Sequence, residues 1–194
     1  MSDRHAELTS RLRADLALKA AKAGLTQEAF LYELVQAEVT QRDQRRIARL
    51  LRQSGLPAEK TFRTLELVGH FPQVIRQQVE RLRRGAFVDE AVNVLAVGKP
   101  GTGKSHLAAA LGHDLVQRGH RVLWTSTASL VQRLLAAKRD LRLPQFLAQL
   151  DRYGCLILDD IGYVQHGRDE MEVLFTLLAG HCQVKFCLNG DSPP

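Results

Sequence analysis

No stretch of this 194-residue sequence is apolar for long enough to cross a membrane, and no signal peptide opens it, so a cytoplasmic location is expected. Cysteine is scarce. Cys155, Cys182 and Cys187 are odd in number and lack metal-ligand spacing, which argues against a disulfide framework or a zinc site and implies reduced thiols. The seven histidines fall in no HExxH or HxxxH pair, so they read as surface or packing residues. Aromatic residues make up only 6%, with one tryptophan. Trp124 reads most simply as a packing residue at a strand end, with stacking on a base as the alternative. What is present suffices for a folded domain: 45% hydrophobic residues supply a core, and the length allows one good-sized domain or a modest one with an appendage. The net charge of +6 leaves an anionic partner open.

One stretch organises the rest. An apolar run, Asn93-Val94-Leu95-Ala96-Val97, leads into Gly98-Lys99-Pro100-Gly101-Thr102-Gly103-Lys104-Ser105 and then an alanine- and leucine-rich helical pattern beginning with His106. Glycine at 98 and 103 followed by Lys104-Ser105 is the full P-loop spacing. The chemistry demands it. Triphosphate oxygens need several inward-pointing backbone N–H donors, and only small residues let the backbone wrap that closely. A helix opening at about Gly103 adds unpaired N–H groups and the positive end of its dipole. Residues 98–106 are therefore the candidate site for ATP, with Lys104 reaching the β- and γ-phosphates and the Ser105 hydroxyl holding Mg2+.

Ahead of it, residues 7–23 are helical in pattern, with Leu8, Leu12, Leu16 and Ala20 on one stripe. Gly24 would end that helix and Thr26 cap the next, which runs from Gln27 to Gln53. Phe30, Leu31, Leu34 and Val35 give this second helix an apolar face, and Ile47, Leu50 and Leu51 do so later. Arg42, Arg45, Arg49 and Arg52 line one side of it, and residues 42–63 hold seven basic side chains against two acidic. Such a stripe suits a DNA phosphate backbone, with Lys138, Arg139 and Arg142 in support, or is an ordinary solvated face; the spacing leaves both open. Ser54-Gly55-Leu56-Pro57 breaks the helix. A short helix, Gln73 to Arg84, closes at Gly85. The expected organisation is thus a helical N-terminal region over 1–60, a connector over 61–90 and a nucleotide-binding core over 91–194.

From Asn93 onward strands alternate with helices, which predicts a parallel sheet sandwiched by helices. Arg121 to Thr125 reads as the second strand, Ser126 or Thr127 as the cap of a helix through Ala137, and Pro144 to Asp151 as another short helix. Cys155-Leu156-Ile157-Leu158-Asp159-Asp160 describes a buried strand whose carboxylates emerge at its C-terminal edge, where ligands sit in parallel sheets. Asp159 is placed to hold the Mg2+ shell through water, and Asp160 to polarise an attacking water. An aspartate reaches one methylene less far than a glutamate, so slow hydrolysis is expected.

The P-loop through Ala108, the run Leu156-Ile157-Leu158-Asp159-Asp160-Ile161-Gly162-Tyr163 and the segment Glu170 to Ala179 resemble the IstB-like ATP-binding proteins. These are helper ATPases of one class of bacterial insertion-sequence transposases, within the AAA+ superfamily and close to the DnaC helicase loaders. The resemblance covers about residues 7–179. It implies an α/β AAA+ P-loop sandwich behind a basic helical region, ATP and Mg2+ as ligands, DNA and a transposase as partners, and assembly into a homo-oligomer. It gives Lys104 and Ser105 the phosphate and Mg2+ roles, and Asp159 and Asp160 the Walker B roles.

After Ala179 the sequence departs from the family pattern. Val184 to Leu188 reads as a strand with Asn189 near the sensor position, but no inter-subunit arginine can be located. Two endings stay open: a truncated or frame-shifted copy whose tail is foreign to the fold, and a genuine alternative ending. The expectation is therefore that the chain binds ATP better than it hydrolyses it. The rival functions are a helicase loader and a non-hydrolysing remnant that binds only ATP or DNA; a small-molecule kinase is weaker, since nothing resembles a substrate lid.

Overall fold

Thr26 opens the first described helix as expected, its Oγ1 accepting a hydrogen bond from the Ala29 N–H at 3.3 Å. A computed structural model describes residues 26–65, 73–161, 167–180 and 185–190. The helix expected over residues 7–23 lies outside them, as do Gly162 and Tyr163. Helix α1 spans Gln27–Ser54. The chain divides into two compact units, Met1–Arg46 and Ile47–Pro194.

In the first unit the leading half of α1 holds Leu31, Tyr32, Val35 and Val39 in an exposed row. In the second, Ile47, Leu50 and Leu51 pack into the core, where Leu50 is buried. The helix ends because the Ser54 hydroxyl donates to the Leu51 carbonyl at 2.8 Å and accepts from the Leu56 N–H. Gly55 then turns in the left-handed region (φ 70°), where a Cβ would lie 3.2 Å from the Trp124 carbonyl oxygen.

The remaining elements follow in order. They are α2 (Gln73–Arg83), α3 (Ala86–Asp89), β1 (Val94–Gly98), α4 (Lys104–Gln117), β2 (Val122–Ser126) and α5 (Thr127–Arg139). After them come α6 (Leu143–Leu150), β3 (Cys155–Asp159), α7 (Arg168–Gly180) and β4 (Lys185–Gly190). The four strands form one parallel sheet in the order β1-β4-β3-β2. Strand β3 is buried from Cys155 to Leu158, as its unbroken apolar run predicts for a strand covered on both faces.

Alternation along β3 sorts the core. Cys155 and Ile157 join α4, α2 and the end of α1 on one face, while Leu156 and Leu158 join α5, α6 and α7 on the other. This is the three-layer sandwich expected from the sequence. Helix α4 is nearly surrounded: Leu107 to Gly112, Leu115 and Val116 are all buried. Its small residues let neighbours approach, and a Cβ on Gly112 would come within 2.7 Å of Leu56 Cδ2 and 2.9 Å of Ile157 Cδ1. Arg83 joins three segments, donating to Asp114 of α4 and Glu80 of α2 at 3.0 Å each, with its guanidinium 4.3 Å from the centre of the Phe62 ring.

The stretch for which the sequence leaves two endings open supplies a strand, β4, close to the one read over Val184 to Leu188. Residues 185–190 lie inside the sheet, with Val94 opposite Phe186 on one side and Ile157 opposite Phe186 on the other. No helix among the described residues is long and apolar enough to cross a membrane.

Candidate nucleotide site

Strand β1 delivers the chain to Gly98 at the C-terminal edge of the sheet, and α4 begins six residues later. Between them the backbone turns through Gly101 (φ 77°) and Gly103 (φ 84°), left-handed values that L side chains resist. The Thr102 hydroxyl donates to the Lys99 carbonyl at 2.8 Å and pins the turn. A Cβ on Gly98 would meet Thr102 Oγ1 at 3.5 Å and Lys104 Cδ at 3.8 Å, whereas one on Gly101 would meet nothing within 4 Å. The loop is therefore closed at its base and open at its tip. Gly103 caps α4 without any side-chain hydrogen bond, so the first N–H groups of that helix are available to an anion.

Lys104 folds back over this loop. Its ammonium donates to the carbonyls of Gly98 and Lys99 at 2.5 and 2.7 Å and lies 3.4 Å from Thr102 Oγ1. One residue on, the Ser105 hydroxyl donates to Asp159 Oδ1 at 2.9 Å, so the P-loop and the end of β3 meet as expected. The same carboxylate oxygen accepts from the Asp160 N–H at 3.1 Å. Thr127, fully buried at the start of α5, donates to the Asp159 carbonyl at 2.9 Å and fixes the strand end from the far side.

A hydroxyl and a carboxylate this close, beside an anion-binding helix start, form a hard oxygen set of the kind Mg2+ takes, so the residues fit a magnesium–triphosphate pair. Asp160 is exposed and sits at φ 58°, which aspartate and asparagine tolerate better than other side chains. Partial desolvation, then the Asp159 charge, push its carboxyl above the usual range, while Lys104 and Lys60 pull it down.

The connector expected over 61–90 makes a contact with the P-loop helix that the sequence did not signal. His106 Nε2 lies 3.0 Å from Thr64 Oγ1 and 3.2 Å from the Thr61 carbonyl, so its side chain holds the connector against α4. Beyond Thr64 opens a cavity of about 840 Å3 that continues from the P-loop, walled by Leu65, Ile75, Val79, Leu82 and the β1 backbone. The 4 and 3 spacing of Ile75, Val79 and Leu82 marks one face of α2 and was the available signal. Trp124 is half-buried and packs with the core, as expected of a strand-end packing residue.

Arg42, Arg49 and Arg52 are exposed on α1 and Arg45 is half-buried. Of the supporting basic residues, Lys138 is committed elsewhere: its ammonium pairs with Glu172 at 2.9 Å and Asp169 at 3.5 Å, both on α7. Arg139 and Arg142 are exposed.

The family described as IstB-like ATP binding protein matches residues 6–185. The sequence is 40% identical over 162 residues to a protein of Sinorhizobium fredii named as an insertion sequence ATP-binding protein, covering 83% of this chain and 54% of the relative. It is also 40% identical over 160 residues to a Pseudomonas aeruginosa protein named for ATP binding in insertion sequence IS21, covering 82% and 60%. The chain thus spans little more than half the length of these relatives. The solved structure of the replication initiator DnaA bound to AMPPCP and single-stranded DNA has a similar fold, with a TM-score of 0.54 and 20% identity over 71% of this chain and 44% of that one.

Proposed function

The chain belongs to the IstB-like ATP-binding proteins, with an AAA+ P-loop fold, and on that premise we propose that it binds ATP with Mg2+ at residues 98–106 in the service of DNA transposition. The N–H groups of Gly101, Gly103, Lys104 and Ser105 would take the phosphates. Lys104 exchanges its loop carbonyls for the β- and γ-phosphate oxygens, a charge-assisted contact where it now has neutral acceptors. Ser105 and, through water, Asp159 hold Mg2+, which neutralises phosphate charge when bound. Asp160 orients the attacking water. Its raised proton affinity suits a group that accepts a proton, but its short reach keeps turnover slow.

Arg42, Arg45, Arg49 and Arg52 supply a sequence-tolerant DNA contact on α1, and a transposase is the protein that reads the nucleotide state. The helical region over 1–60, the connector over 61–90 and the ATPase core from 91 divide these tasks, and the core works as a homo-oligomer. The insertion-sequence names of both relatives favour this role over helicase loading.

The observation that carries the reading is the 2.9 Å bond from Ser105 to Asp159, which brings the two nucleotide motifs together beside the open start of α4. Titration calorimetry with MgATP tests it. Lys104→Ala is expected to weaken binding about tenfold or more, since a hydrogen bond to a charged group contributes about 1.5–3 kcal/mol. Equal affinity in the two proteins would overturn the assignment.

A further inference from the structure

The leading half of α1 carries a face that neither the nucleotide site nor the core uses. Leu31, Val35 and Val39 recur every fourth residue and are 59%, 53% and 48% exposed, with Tyr32 beside them at 66%. Apolar side chains aligned on one helix face are unfavourable in water and gain by being covered. Charge on the same face is sorted along the axis. Glu28, Val35 and Arg42 are spaced by seven, so all three lie on one ridge of the helix. Between residues 27 and 41 the charged side chains are Glu28, Glu33 and Glu38, whereas Arg42, Arg45 and Arg46 follow with only Asp43 against them.

We propose that this face pairs two copies of the chain, α1 against α1, antiparallel about a two-fold axis at Val35. Symmetry then fixes the contacts. Val35 meets Val35 of the second copy, Leu31 meets Val39, and Glu28 meets Arg42, each of the last two made twice. A parallel pairing would set Glu28 against Glu28 and Arg42 against Arg42, so charge selects the antiparallel arrangement. One helix pair buries less than ~1,200 Å2, the range of weak, reversible association, so the dimer forms at micromolar concentration. It needs no nucleotide, is independent of the reading of the ATP site, and competes with DNA for Arg42.

Sedimentation equilibrium of the full chain without nucleotide or DNA, over about 1–100 μM, tests it. A reversible monomer–dimer equilibrium is expected. Val35→Asp should weaken it about 100-fold, because a carboxylate would be buried against its own copy at the axis. Glu28→Arg and Arg42→Glu should each weaken it roughly tenfold by setting like charges together twice, and the double swap should restore affinity to within about threefold. A single species of monomer mass at the highest concentration overturns the proposal, as does a dimer unmoved by Val35→Asp or a double swap that fails to rescue. A monomer whose melting temperature falls on Val35→Asp also overturns it, since the face is then covered from within the same chain.

Discussion

The Ser105 hydroxyl donates to Asp159 Oδ1 across 2.9 Å, a link between residues 54 apart in sequence. Asp159 keeps the Asp160 N–H at 3.1 Å on its carboxylate and the Thr127 hydroxyl on its carbonyl, so removing the Ser105 hydroxyl should act on metal more than on fold. Ser105→Ala is expected to bind metal-free ATP much as the parent does and to lose most of the gain from Mg2+. The lost bond is worth about 1.5–3 kcal/mol, or roughly tenfold or more in affinity. Calorimetric titrations with and without Mg2+ check this; an undiminished Mg2+ effect would remove Ser105 from the site.

Asp160→Asn should separate turnover from stability. The Asp160 carboxyl is pushed up by desolvation and by Asp159, so its ionised form is less favourable in the folded chain than in the unfolded one. That penalty is absent when both states are protonated and sets in as pH rises from the ordinary value of 3.8 through the raised one. Asparagine keeps the left-handed backbone and carries no charge. Melting curves should therefore show the variant more stable at pH 7, with the difference closing below about pH 4. Its ATP hydrolysis should fall roughly 10²-fold or more, the usual scale for losing a proton acceptor. A variant less stable at pH 7, or as active as the parent, contradicts this account.

Thr127 is buried and its hydroxyl serves the carbonyl of Asp159. Thr127→Val preserves shape but leaves that carbonyl without its partner, which costs about 1–3 kcal/mol. The melting temperature should drop by a few degrees for a domain of this size. An unchanged melting temperature would mean that the Asp159 carbonyl is satisfied elsewhere.

DNA affinity should depend steeply on salt if the α1 arginines meet phosphates. Each contact adds about −0.9 to the slope of log affinity against log salt on duplex DNA. Replacing Arg42, Arg45, Arg49 and Arg52 by alanine should flatten that slope, whereas Lys138→Ala should leave it unchanged because Glu172 and Asp169 already hold that ammonium. A slope indifferent to the four arginines returns them to a solvated face.

Much of the site was legible because it is local. Gly98 to Ser105 must sit between a strand and a helix for the motif to work, and both flanks read as such. The Leu156-Ile157-Leu158 run announced a strand buried on both faces, and of the two caps offered, Ser126 and Thr127, it is Ser126 that the Ser129 N–H uses at 3.3 Å. The connector's contacts were illegible for the opposite reason. Thr61 and Thr64 reach His106 over 45 and 42 residues, and nothing in a threonine pair names its distant partner. The place of β4 was hidden likewise: Val184 to Leu188 has strand character, but its neighbours are set by how the whole sheet assembles.

The order β1-β4-β3-β2 has a consequence for how the protein is made. Val94 emerges from the ribosome early, yet its partner Phe186 follows roughly 90 residues later, a separation that makes pairing slow. Until then β2 and β3 can zip together, but β1 and β3 each offer a bare edge to any passing chain. A nascent chain halted before Lys185 would carry both edges at once, and so would be a client for a holding chaperone. The sheet closes from its middle, like a wall whose keystone is laid after the piers.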